Sequence, residues 1–352
     1  MSASARGWPV VPPDAAGFDP AALAAAIDRF ADKAGRDGVQ RLAVLHEGRL
    51  IHAGPQAHLP QGVWSITKTV LTTTMGLLVD DGVVALDAPV ARVLPELAPA
   101  FVGATFRHFG AMISGYRASG DELAIKGYEH GPSRTFFLPA AAPQSAPGST
   151  FSYWDSAPNL LALALTRMAG ESLDALFGRR IARPLGMNLE WGRWLIGDLR
   201  VNGGAGNHFG MVQTSCLDIC KLGELYRLGG VWAGERLLSR DWCTLATSVQ
   251  ARADLALHGT LFDGRGRYGL FWWVNGIGPA GDRKWKGVEP GAFSASGYNN
   301  NDLFVLPQAG IVACRLGTDQ DFDGAVTDEI YAELLRDIVA AGNGSRGGTA
   351  DG

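Results

Sequence analysis

The chain has 352 residues, 47% of them hydrophobic and 19% charged, with a formal net charge of −4. That length fits two or three small domains or one large bipartite domain, with ample apolar material for a core. The charge balance shows none of the basic clusters of a nucleic-acid or membrane-surface binder, and so favours a small neutral or mildly polar partner.

Residues 1–16, rich in Pro, Gly and Ala, read as an extended or disordered lead-in without the apolar run of a signal peptide. Pro20 opens a helix on which Leu23, Ile27 and Phe30 share one face. Two short apolar runs joined at Glu47-Gly48 form a β-hairpin signal. A further helix begins close to Ser65, with Ile66, Val70, Leu71, Met75 and Leu78 as its apolar stripe and Asp81-Gly82 as its stop. From there to about residue 240 the pattern is mostly helical, clearest at 159–170 and 217–230. After about residue 265 three stretches read as strands: RYGLFWWVNG, SASGYNNNDLFVLP and GIVACRLG. An amphipathic helix follows, and then a Gly-rich tail, 342–352, that reads as disordered. This order predicts an α+β protein. Its antiparallel sheet is built from both ends of the chain (17–82 and 245–341), with a mostly helical lobe (83–244) inserted between.

The four cysteines, Cys216, Cys220, Cys243 and Cys314, form no CxxC and have no histidines at ligand spacing, so they read as buried or free thiols. No run approaches the ~20 apolar residues of a membrane span. The expectation is a cytoplasmic protein with no metal or cofactor.

Three motifs could carry chemistry. In Ser65-Ile66-Thr67-Lys68, residues three apart on a helix are neighbours, which sets the Lys68 ammonium beside the Ser65 hydroxyl. A serine hydroxyl needs a nearby base to become a nucleophile, and lysine serves only if it is held largely neutral. Tyr153, in Phe151-Ser152-Tyr153-Trp154-Asp155 ahead of a helix, can relay a proton in a cleft. Ser294-Ala295-Ser296-Gly297-Tyr298, read as a strand edge, can offer backbone N–H groups to an oxyanion.

The order and spacing of these motifs resemble the β-lactamase and penicillin-binding-protein superfamily, in which S-x-x-K is followed by Y-x-N and a K/H-T-G strand. The resemblance extends to the segments 106–116, 183–187 and 215–234. It implies a β-lactamase/D,D-peptidase-like fold: a five-stranded antiparallel sheet flanked by helices, a helical lobe, and the active site between them. It also implies an acyl-enzyme on Ser65, proton transfer by Lys68 and Tyr153, and an oxyanion hole from the backbone N–H groups of Ser65 and Tyr298. Trp154, Asp155, Ser296 and Gly297 would contact the substrate.

Two departures bear on substrate. Ala295 replaces the Lys or His that helps to hold a substrate carboxylate, which points towards uncharged esters or amides. Asp155 stands where the pattern has Asn; it could pair with Lys68, leaving Tyr153 as the base, or bind a cationic part of the substrate. Within the superfamily the better matches are the β-lactamase-type carboxylesterases and the 6-aminohexanoate-dimer hydrolases. A binding relative without turnover and acyl transfer to another nucleophile stay open as alternatives. An aromatic cleft is expected from Tyr153, Trp154, Tyr298 and the Trp272-Trp273 pair. Gly264 to Gly269 fits G-x-G-x-x-G but leads into a strand, which argues against a dinucleotide site. His208 reads as a solvated loop residue and His108 as a structural hydrogen-bonding residue near a turn.

Overall fold

The computed structural model describes residues 7–35, 37–98, 100–116, 142–206, 210–258, 262–318 and 326–343. His208 and the tail from 344 lie outside these residues.

Helix α1 (Pro20–Ala31) starts where Asp19 accepts from the N–H groups of Ala21 and Ala22, with Pro20 in the first turn, where its missing N–H has no consequence. Strands β1 (Leu42–His46) and β2 (Arg49–Ala53) follow as a hairpin. Glu47 (φ 47°) and Gly48 (φ 68°) are both left-handed there, the two-residue turn whose twist matches that of its strands. Helix α2 (Thr67–Asp80) runs down the middle of the molecule and is buried along nearly its whole length.

The carboxy-terminal part supplies β3 (Trp273–Val274), β4 (Phe293–Gly297), β5 (Asn301–Leu306) and β6 (Ile311–Arg315). They complete a sheet in the order β3-β4-β5-β6-β1-β2 with every neighbouring pair antiparallel. Helices α1 and α5 (Asp328–Asn343) cover one face, where Tyr331 packs on Phe30 and Phe304. Helix α4 (Cys216–Arg227), capped by Ser215, covers the other. Helix α3 (Ser156–Ala169) contacts α2 in the helical part of the molecule. This is the β-lactamase/D,D-peptidase-like α+β architecture, with a sheet of six strands where five were expected.

Four expectations need correction. The run SASGYNNNDLFVLP is a hairpin, not one strand. Asn299 (φ 67°) and Asn300 (φ 56°) are left-handed, a conformation that Asn tolerates better than most residues, so the chain reverses between β4 and β5. In the aromatic run before it only Trp273 and Val274 join the sheet. Phe271 is left-handed (φ 60°), and Trp272 is a core residue against Tyr226 and Phe293. Third, the helical region carries short strands: a hairpin of Arg193–Ile196 with Leu199–Asn202, and Leu189–Trp191 paired with Val212–Thr214, which Gln61–Gly62 joins from outside that region. Fourth, residues 7–16 are docked. Pro9 and Val11 exchange backbone hydrogen bonds with Leu50, covering the otherwise open edge of β2, and the Trp8 indole donates to Leu217 O. Helix α5 likewise continues to Asn343.

All four cysteines are free and buried, as expected; Cys216, Cys220 and Cys314 also bring their sulfurs within 4.8 Å of one another between α4 and β6. Among the described residues no helix is long and apolar enough to cross a membrane.

Asp302, opposite Ser296 in the sheet, is buried, and burial pushes its carboxyl up to about 7, partly offset by hydrogen bonds with Ser296 and Tyr331. The ordinary value is 3.8, so between about pH 4 and pH 7 the folded protein retains a proton that the unfolded chain has lost. Stability should therefore fall as pH rises through that window, by up to about 1.4 kcal/mol per unit, and level off above it. Urea unfolding of Asp302→Asn at pH 5 and pH 8 should show this fall diminished relative to wild type. An unchanged difference between the two pH values would contradict the assignment.

Candidate active site

Ser65 lies in a single 3₁₀ turn, Trp64–Ile66, that feeds directly into α2, so Lys68 is one turn on and faces the same way. Lys68 Nζ is 2.8 Å from Ser65 Oγ, 2.9 Å from Asp155 Oδ1 and 2.8 Å from the carbonyl oxygen of Ala205. Three acceptors thus stand around a group with three N–H bonds, which is the arrangement of an ammonium ion. Ser65 Oγ is itself 3.3 Å from Ala205 O, the acceptor for its proton in this geometry. The Lys68 and Asp155 side chains are each 1% exposed, so the pair is fully desolvated.

Asp155 is the residue before α3 and reaches Lys68 from the helical part of the molecule. Tyr153, two residues earlier, holds its ring centroid 4.8 Å from Lys68 Nζ. Its ring stacks on Trp273 (6.1 Å, 18°) and meets Phe262 and Tyr268 edge-on. Both residues therefore approach the Ser65–Lys68 pair from the one segment that leads into α3.

The Ser65 backbone is pressed between two glycines. A methyl group at Gly206 (φ 85°) would fall 1.8 Å from Trp64 O, and one at Gly297 would fall 2.4 Å from Val63 O and 3.1 Å from Ser65 N. Strand β4 can therefore run alongside the Ser65 turn only because Gly297 lacks a side chain. Tyr298 follows immediately, with its ring 5.1 Å from that of Trp64. Trp64 is left-handed (φ 50°), a strained conformation for a bulky residue and one that sets the entry into the Ser65 turn.

The structure thus brings Ser65, Lys68, Tyr153 and Asp155 together, with Gly297 and Tyr298 alongside. It turns Ser296 away from them: that residue lies on the face of β4 opposite to that of Gly297, its hydroxyl 3.1 Å from that of Ser294. The rings that meet Tyr153 are those of Trp273, Tyr268 and Phe262, while Trp272 packs on Tyr226 and Phe293 and Trp154 is buried. His108 caps its own short helix by exchanging hydrogen bonds with Thr105, the structural role expected of it. Gly266, in the G-x-G-x-x-G stretch, has φ 70°, and a methyl there would fall 1.9 Å from Ile277 O, so packing accounts for it.

Sequence reasoning missed Ala205 and Asn159. The Asn159 carboxamide, buried in α3, accepts from the N–H groups of Gly204 and Ala205 and so aims the Ala205 carbonyl at Lys68. The available signal was the run Gly203-Gly204-Ala205-Gly206, which marks a backbone that must pass close to other groups.

With this geometry in view, comparisons with known proteins place the chain. The model of the β-lactamase family matches residues 23–336, and the protein belongs to that family. The chain is similar to the esterase EstB of Burkholderia gladioli, 31% identical over 209 residues that make up 50% of this chain and 53% of that protein. The curated relatives are matched over about half of their length or less. Among solved structures, a penicillin-binding-protein homologue from Caulobacter crescentus superimposes with a TM-score of 0.70 at 19% identity, covering 92% of this chain and 99% of that one. A family VIII carboxylesterase gives 0.67 at 18% identity, covering 91% and 97%. At these identities the two structures speak for the fold.

Gly297→Ala should displace β4 from the Ser65 turn. The rate at which a fluorophosphonate labels Ser65, followed by intact mass, should fall roughly ten- to a hundredfold while the circular dichroism spectrum stays close to wild type. Labelling at the wild-type rate would show that the close approach has no bearing on reactivity.

Proposed function

We propose that the protein is a serine hydrolase that cleaves an ester, or an amide, of a small uncharged substrate through an acyl-enzyme on Ser65. The observation that carries this reading is the 2.8 Å contact between Ser65 Oγ and a buried Lys68 whose charge is balanced by Asp155.

In this mechanism Ser65 Oγ attacks the carbonyl carbon and passes its proton to the Tyr153 oxygen as the Tyr153 hydroxyl proton moves on to the leaving oxygen or nitrogen. The negative charge that develops on the former carbonyl oxygen is met by the backbone N–H groups of Ser65 and Tyr298. The bond between carbon and the protonated leaving group then breaks, which leaves the acyl group on Ser65 and one proton on Tyr153, as at the start. Water attacks the acyl-enzyme along the same path, with its proton taken by Tyr153 and delivered to Ser65 Oγ. Lys68 stays charged throughout, donating to Ser65 Oγ. Asp155 is its counter-ion, the first of the two roles open to it.

Two features support the substrate class. Ala295 is buried and offers no cation at the strand position where the family pattern puts one for a carboxylate. The rings of Tyr153, Trp273 and Phe262 give the site an apolar side suited to a hydrophobic acyl or alcohol group. Similarity to an esterase favours the ester over the amide.

Intact-mass spectrometry after brief incubation with p-nitrophenyl butyrate, a fluorophosphonate and a penicillin tests the reading against Ser65→Ala. The expected result is a fluorophosphonate adduct on wild type alone, with p-nitrophenol released from the ester and no penicilloyl adduct. An adduct with penicillin only would move the substrate back to β-lactams. No adduct with any reagent would make a non-catalytic ligand-binding protein the better account, and ester formation with an added alcohol would point to acyl transfer.

A further inference from the structure

The proposed mechanism needs two backbone N–H groups, those of Ser65 and Tyr298, at a fixed separation, although they come from segments far apart in the chain. Ser65 follows the short strand Gln61–Gly62, and Tyr298 opens the turn between β4 and β5. One side chain touches both segments. Asn301, the first residue of β5, is fully buried. Its Nδ2 donates to Tyr298 O at 2.6 Å, and its Oδ1 accepts from Gln61 Nε2 at 3.0 Å and from Gly317 N at 2.9 Å. Gln61 Nε2 also donates to Gly317 O at 2.8 Å, which closes the network.

We infer that Asn301, through Gln61, is a positioning residue that sets the spacing of the two oxyanion donors; the inference rests on the proposed serine-hydrolase function. The carboxamide suits this task because it combines a donor and an acceptor on one rigid plane. Its donor engages the very peptide unit whose orientation matters, for the Tyr298 carbonyl belongs to the turn that also presents the Tyr298 N–H. Asn299 and Asn300 are both left-handed, and they persist because their surroundings hold them. The Arg315 guanidinium donates to Asn300 O at 3.1 Å and the Tyr331 hydroxyl to the same oxygen at 3.2 Å. Those contacts anchor the far end of the turn. Asn301 alone in this set links its near end to the segment that carries the nucleophile.

Asn301→Ala removes both links, and Gln61→Met removes one from a half-buried position where loss of folding is less of a concern. Reactive sites are first counted in each protein by end-point fluorophosphonate labelling. Then kcat and KM for p-nitrophenyl butyrate, and the affinity for phenylboronic acid, which forms a tetrahedral adduct with a serine hydroxyl, are measured per reactive site. The expected result for Asn301→Ala is a kcat roughly ten- to a hundredfold lower and boronic acid binding weakened in parallel, with KM within about threefold of wild type. Gln61→Met should move the same two quantities by a smaller factor, and it carries the test alone if Asn301→Ala does not fold. A merely structural role would lower the melting temperature or the number of reactive sites and leave kcat per site and boronic acid affinity unchanged. That outcome overturns the inference while Ser65 stands. If wild type takes no label at all, the Ser65 reading itself falls, and this inference with it.

Discussion

A lysine and an aspartate, both closed off from water, hold this molecule's centre together. Removing two charges from solvent carries a penalty that their mutual attraction repays only when the remaining hydrogen bonds are also made. On the lysine's side they are made, because the Lys68 ammonium also meets Ser65 Oγ and the Ala205 carbonyl. Losing one member of such a buried pair costs about 3–5 kcal/mol, since the other is left uncompensated. The pair therefore acts as a pin between α2, which carries Lys68, and the segment before α3, which carries Asp155.

Much of the neighbouring chain is arranged around that pin. The Ala205 carbonyl can reach Lys68 because Asn159 fixes the N–H groups of Gly204 and Ala205 and because Gly206 passes where no side chain would fit. On the other flank Gly297 allows β4 to run against the backbone of Val63 and Ser65. The Ser65 turn is thus held from both parts of the molecule, by contacts that backbone and small residues make.

The broad plan was legible in the sequence because it rests on local signals. Glu47-Gly48 marked a hairpin, Pro20 a helix start, and the three-residue spacing of Ser65 and Lys68 their contact. What escaped sequence reasoning depends on contacts far apart in the chain. The left-handed Asn299 and Asn300 sit in a run whose β-favouring neighbours suggest a continuous strand, so the reversal there was missed. The stacking of Trp273 on Tyr153 joins residues far apart in the chain, so no local pattern announced it. Asn159 and Asn301 carry no local signature at all, since their partners lie 45 and 240 residues away.

In the proposed mechanism Asp155 keeps Lys68 charged, so that Tyr153 and not Lys68 moves the proton. The most direct test is the pH dependence of Ser65 acylation by a p-nitrophenyl ester in wild type and Asp155→Asn. With the counter-charge gone, Lys68 should lose its proton at lower pH, and the alkaline limb of the variant should move down the pH scale with a lower maximal rate. A variant that acylates faster near neutrality would show a neutral lysine acting as the base, and would contradict the division of roles between Lys68 and Tyr153.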